Sequence, residues 1–314
     1  MNNFINKLKK IGDRSEKGVK IMPTNKVSGQ YPVNLKIKED INFGKYLIVE
    51  TAISDNNINT TFDSGGRLGN MIFRNLVSHK MAELNSLNFK YERIEEINKL
   101  GIILFTSGNK TYSHTLVLTD EIIDDVLFKE LIINNIVKNK NIIFRQHSYN
   151  PYNLLDYSWC QTKLIAKYIR ETINTQRRNI ISVNPYNLRF KTNNDLIVHV
   201  RLGDTVELKV NTYFEYYDKT LSTLKFDKGY ITSDSLEHEY CLKLISKYNL
   251  TPVNLDEVKT IQFASVCKYV VLSSGTFSWV IGVFSFFSNV FYPKIKTKWH
   301  GDIFVFDDWT EVDY

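Results

Sequence analysis

Residues 195–204 read DLIVHVRLGD. The run from Leu196 to Val200 is short, apolar and ended by a glycine-containing loop, the pattern of a strand inside a parallel sheet. At its end His199 and Arg201 stand two residues apart, so both are expected on one face, with Asp204 in the loop beyond. A guanidinium is permanently charged and grips phosphate oxygens through two parallel N–H bonds, and Gly203 lets the backbone come close to such a group. The same residues also fit a structural ion pair between Arg201 and Asp204. The hexapeptide HVRLGD leaves both readings open.

Strands and helices alternate outward from this point. After it come a helix in YFEYYDKTLSTL (213–224), a strand in KGYITSD (228–234) and a helix in LEHEYCLKLISKYN (236–249). A helix in KTIQFASVCK, a strand in KYVVLSS, a very apolar helix in TFSWVIGVFSFF and a closing strand in NVFYP (289–293) follow. Before it, YLIVETAI (46–53) reads as a buried strand, and a helical pattern runs from about Arg67 to Leu87. LNFKYERI, LGIILF (100–105) and TLVLTDEIIDDVLFKELIINNIV continue the alternation up to an amphipathic helix at 162–176. Strands joined by helices of this length predict right-handed crossovers and a parallel sheet whose ligands sit at strand carboxyl ends. ISVNPYNLRFKTNN (181–194), rich in Asn and holding a Pro, reads as a linker with a domain boundary near residue 185. The expected organisation is an N-terminal extension over 1–45, one domain over 46–185 and a second over 186–314.

The 314 residues, 43% of them hydrophobic, suffice for two domain cores. Lys and Arg number 40 against 34 Asp and Glu, a net +6 that suits an anionic ligand. The basic residues are not clustered with aromatics on one element, which argues against nucleic acid as a partner. Cys160, Cys241 and Cys267 stand far apart, indicating neither a zinc site nor a disulfide framework. No apolar stretch reaches the ~18 residues of a membrane span and the N-terminus lacks an apolar signal core. A cytoplasmic location and no transmembrane segment are therefore expected.

Three further segments fall at strand ends. SGGRLGNMIF (64–73) is a glycine-rich turn into a helix, where free N–H groups and the helix dipole favour anions, and it also fits a plain turn. It is neither a dinucleotide fingerprint nor a P-loop. In VVLSSGTFSWVIGVFSFF (270–287), Ser273, Ser274, Thr276 and Ser278 converge at a helix start, more hydroxyls than N-capping requires. YITSDS (230–235) brings Asp234 to a strand end, where a carboxylate accepts from ribose or base, or caps a helix. No D-x-D, H-x-x-x-H or Cys-His spacing suggests a metal, and no G-x-S-x-G suggests a serine hydrolase.

In their order along the chain these segments resemble the fucosyltransferase superfamily, most of all the bacterial-type α-1,2-fucosyltransferases. GGRLGNMIF is similar to that family's G-G-x-G-N-Q-x-F start, HVRLGD to H-x-R-R-G-D, YITSDS to F-S-D-D, and CKYVVLSSGTFSWVIG to its S-S-F-S-W-W-G segment. FRQHSYNPYNLL (144–155) is a looser counterpart of Y-x-Q-S-x-x-Y-F. Met71, Leu202, Ser235 and Val280-Ile281 depart from the family's Gln, second Arg, second Asp and Trp-Gly. The resemblance implies an α/β fold of GT-B type, with two Rossmann-like domains facing a central cleft. It implies inverting transfer of L-fucose from GDP-fucose to a glycan hydroxyl, in α-1,2 linkage, with no metal and no cofactor besides the nucleotide-sugar donor. Under it Arg201, Asp204 and Glu207 are the expected catalytic groups. His199, Gly66, Arg67, Gly69, Asn70, Asp234, Ser274, Thr276, Phe277 and Ser278 are the expected donor contacts. The alternatives are a GT-B enzyme using another nucleotide sugar, or a catalytically silent relative that binds glycans or nucleotides.

Overall fold

The computed structural model describes residues 37–43, 46–51, 59–62, 67–119, 123–145, 160–207, 211–294 and 303–314; before residue 67, and at 117, 119, 145, 204 and 207, the description is of backbone alone. The first half runs β1 (Ile37–Phe43), β2 (Tyr46–Thr51), β3 (Asn59–Phe62), α1 (Leu68–Asn85), β4 (Phe89–Lys90), α2 (Ile94–Lys99), β5 (Thr115–Thr119), α3 (Asp125–Ile132), β6 (Asn141–Arg145), α4 (Lys163–Thr175) and α5 (Arg177–Val183). The second runs β7 (Leu196–Val200), α6 (Gly203–Glu207), α7 (Phe214–Leu221), β8 (Gly229–Ser233), α8 (Glu239–Tyr248), β9 (Thr251–Pro252), α9 (Glu257–Ala264), β10 (Tyr269–Val271), α10 (Thr276–Phe284), β11 (Asn289–Pro293) and β12 (Thr310–Val312). The protein is α/β, with a six-stranded parallel sheet flanked by helices in its second half.

That sheet has the order β12-β11-β10-β7-β8-β9. Numbered within this half it is 3-2-1-4-5-6 read from β9, the order of doubly wound nucleotide-binding sheets. The order reverses between β7 and β10, which are direct neighbours: Leu196 pairs with Tyr269 and Val198 with Val271. Chains leaving these two strands diverge to opposite faces and open a crevice between their carboxyl ends. Every residue of β7 is buried. Leu196, Val198 and Val200 face a cluster with Tyr216, Tyr217 and Leu244, while Ile197 faces the larger core on the other side. Burial on both faces is why this strand reads as an unbroken apolar run.

The first sheet, β1-β2-β5-β6-β3-β4, is mixed: β3, β4, β5 and β6 run parallel, and β2 and β1 are added antiparallel. β1 lies within the segment expected to be an extension and pairs with β2 along Ile37–Phe43. LGIILF departs from the expected alternation, since 102–109 hold neither helix nor strand. Its backbone groups are met by side chains instead. The Gln176 amide accepts from Ile103 N–H at 2.6 Å and donates to Ile103 C=O at 3.1 Å, and His79 Nδ1 accepts from Phe105 N–H at 2.7 Å. The stretch read as a linker also holds structure. α5 continues to Val183, and the buried Asn184 donates to Gln262 C=O at 3.0 Å. The Asn content there serves tertiary hydrogen bonds rather than chain flexibility.

One continuous buried cluster takes in α1, α4 and β6 of the first half and α9, α10 and β11 of the second. At its centre Phe73 of α1 meets Trp279 of α10 with ring centroids 4.6 Å apart. Residues 303–309 strap the halves together. Trp279 Nε1 donates to Ile303 C=O at 2.7 Å, Arg170 of α4 bonds Asp308 at 2.6 Å, and the Arg170 guanidinium lies 4.3 Å from the Phe306 ring centre. The closing strand expected at 289–293 is followed by one more, β12, parallel to β11.

Candidate functional site

The crevice between β7 and β10 gathers residues from four separate stretches of sequence. His199, the penultimate residue of β7, is 7% exposed, and its Nδ1 lies 2.5 Å from Ser278 Oγ in the first turn of α10. Its ring tilts against Phe277 at 5.4 Å between centroids. Burial pushes the imidazole pKa down to about 4 against a smaller opposing pull from Asp234, so at neutral pH the ring is uncharged and orients rather than neutralises. Unfolded, this histidine takes up a proton near pH 6.5; folded, it does not until about pH 4. Stability is therefore complete above pH 6.5 and falls through that window by about 1.4 kcal/mol per unit of pH. Denaturant titrations between pH 4 and 7 should show this acid limb in the protein and a shallower one in His199→Gln.

Thr212, absent from the sequence-based site, is the hub of the crevice floor. Its Oγ1 accepts from Ser274 N–H at 3.1 Å and stands 3.2 Å from the hydroxyls of both Ser273 and Ser274. The buried Tyr217 hydroxyl faces Thr212 and Ser273 outside hydrogen-bonding geometry, and burial raises its pKa. The local signal at Thr212 is that of a residue before a helix, which reads as a cap. Its bonds instead cross to the turn after β10, 61 and 62 residues away. Thr212→Val removes the acceptor of a buried N–H while conserving shape, and a loss of about 1–3 kcal/mol is expected on chemical denaturation, against near-wild-type stability for Thr212→Ser.

Arg201 and Asp234 bind each other. Asp234 Oδ2 accepts from Arg201 Nη1 and its Oδ1 accepts from Leu202 N–H at 2.9 Å. The pairing follows from register: His199 lies opposite Thr232 and Val200 opposite Ser233, so the next rung sets Arg201 against Asp234. Asp234, at the end of the adjoining strand, is thus a carboxylate partner of Arg201, and the carboxylate expected to meet a ribose is engaged by the arginine loop. His199 and Arg201 part company at the strand end, one reaching α10 and the other β8. Asp204 and Glu207 belong to the backbone of α6, and their side chains lie outside the description.

The glycine-rich turn meets the same crevice from the first half. A Cβ on Gly69 would lie 2.9 Å from the backbone nitrogen of Phe277, so absence of a side chain there lets α1 abut the start of α10. Gly69 is buried in this contact. Asn70 Oδ1 accepts from Gln161 Nε2 at 2.9 Å, and Arg67, at the N-cap of α1, is exposed. Gly66 and the FRQHSYNPYNLL segment beyond Arg145 lie outside the described residues. Ser274 and Thr276 are buried at the turn into α10, whose N-cap, Gly275, opens on space: a Cβ there would meet nothing within 4 Å.

No protein-family model matches the chain, and none of the curated proteins matches it. Among the described residues no group of three or more His, Cys, Asp or Glu is placed to hold a metal ion, and no helix is long and apolar enough to cross a membrane. What the crevice offers a ligand is a helix start with its N–H groups, a neutral imidazole and a floor of hydroxyls, with the Arg201 guanidinium at the end of the adjoining strand. That combination suits an anion attached to a polar, hydroxyl-bearing body.

Proposed function

We propose that the chain is an inverting glycosyltransferase of GT-B arrangement that moves L-fucose from GDP-fucose to a hydroxyl of a glycan acceptor, in α-1,2 linkage. One observation carries this reading: the segments that resemble fucosyltransferase motifs meet at the reversal point of a nucleotide-binding strand order, with His199 of HVRLGD on Ser278 of SSGTFS and Gly69 of GGRLGN on Phe277.

The chemistry fits these groups. Fucose departs through an oxocarbenium-like state, in which negative charge grows on the diphosphate as the sugar becomes positive. Arg201 and the first N–H groups of α10 meet that charge as fixed donors. Neutral His199 holds the donor in place through hydrogen bonding. The attacking hydroxyl needs its proton removed from the opposite side, a role for Asp204, with Glu207 second. The first half of the chain contributes the acceptor side. A non-transferring nucleotide or glycan binder is the second reading, favoured by the carboxylate already on Arg201.

Thermal shift against GDP-fucose, GDP-mannose, UDP-sugars and dTDP-sugars tests the proposal. A ligand at a hundred times its Kd stabilises by about 2.7 kcal/mol, well within detection. GDP-fucose should stabilise most, and transfer to a glycan panel should follow. Indifference to every GDP compound removes the reading; GDP binding without transfer selects the second.

A further inference from the structure

We infer that Asp234 is a positioning residue that aims the Arg201 guanidinium into the crevice, rather than a contact of the donor; this rests on Arg201 as the counter-charge of the diphosphate. Three consecutive residues close around its carboxylate. Oδ2 receives Arg201 Nη1, Oδ1 receives Leu202 N–H at 2.9 Å, and Gly203, at φ +33°, passes so near that a Cβ would stand 2.7 Å from Oδ2. A side chain at position 203 would have to displace the carboxylate. Leu202 itself is fully buried, and Thr205 Oγ1 donates to Leu202 C=O and lies 3.4 Å from Arg201 C=O, so the loop whose peptide grips Oδ1 is anchored from below.

The carboxylate is therefore held by backbone independently of the arginine, and the arginine is held by the carboxylate. Arginine has five N–H donors in a rigid plane, and fixing one of them fixes the direction of the others. Arg201 lies just past the end of β7, where strand geometry no longer aims it, so the aim comes from the neighbouring strand. Cross-strand register puts Asp234 at a position that can supply it.

The test uses the full chain labelled with ¹⁵N at arginine, with the Arg201 Nη–H signals assigned through Arg201→Lys, and GDP as the probe. Asp234→Asn keeps an oxygen for Leu202 N–H but removes the charge and can turn an NH₂ on the guanidinium. Its Arg201 signal should exchange with water at least about tenfold faster while the Leu202 amide stays protected. GDP binding should weaken about tenfold in Asp234→Asn and no further when Asp234→Asn is added to Arg201→Ala. An unchanged Nη–H exchange rate overturns the inference, as do additive losses, which would make Asp234 a nucleotide contact, or tighter GDP binding, which would make it a competitor. If Arg201→Ala leaves GDP binding intact, the fucosyltransferase reading falls instead, and the exchange measurement still decides what Asp234 does.

Discussion

Under the proposed function, Arg201→Ala is expected to lower kcat for fucosyl transfer about 10²-fold or more, with a smaller change in KM for the acceptor. In that proposal the asymmetry arises because the charge to be met by the guanidinium is largest in the transition state, when the diphosphate is leaving, and smaller in the bound donor. Only 15% of the Arg201 side chain is exposed. Its interaction with a bound diphosphate is consequently less screened than that of a surface arginine. Arg201→Lys should recover little of the loss, since an ammonium on a flexible stem can reach Asp234 but lacks the planar second edge for phosphate. Steady-state kinetics with saturating donor provide the check, and an alanine variant with near-normal turnover would remove Arg201 from the reaction.

Trp279→Ala is expected to cost about 3–5 kcal/mol of stability. Trp279 is completely buried, packs on Phe73 from the first half at 4.6 Å and on Phe306 at 5.9 Å, and donates its indole N–H to Ile303 C=O at 2.7 Å. Truncation opens a cavity where the two halves meet and strands a carbonyl, so the cavity and hydrogen-bond losses add. Trp279→Phe should cost less, retaining ring packing but not the bond. Calorimetry and urea titration measure both. Ser278, the partner of His199, is the preceding residue, so Trp279→Ala should also weaken the proposed nucleotide binding by loosening the start of α10. Wild-type stability in Trp279→Ala would show that the halves do not depend on this core.

Much of the fold was readable from local pattern. β7 and β10 are short apolar runs because both faces of a central parallel strand are buried, and the helices at 68–85 and 163–175 keep within two residues of their periodic stretches. LGIILF misled because an apolar hexapeptide looks the same whether its backbone bonds a strand or a glutamine side chain. β9 and β12, two and three residues long, were not read because pairing with a neighbour, rather than composition, makes them strands. Of the site, His199 and Ser278 were each legible as residues at strand and helix ends. Their contact was not, being a matter of strand order.

Residue chemistry and periodicity alone account for the alternation of strands and helices, the glycine and hydroxyl turns at strand ends, and the presence of a guanidinium at the end of a buried strand. Register and topology account for the rest: that Arg201 meets Asp234, that Thr212 serves Ser274, and that Gly69 is small for the sake of α10. Each of those contacts joins residues 33 to more than 200 positions apart. Local preference acts over a few residues, whereas such pairs are chosen by which strands lie side by side and at what offset, and that choice is made by burial of the whole sheet.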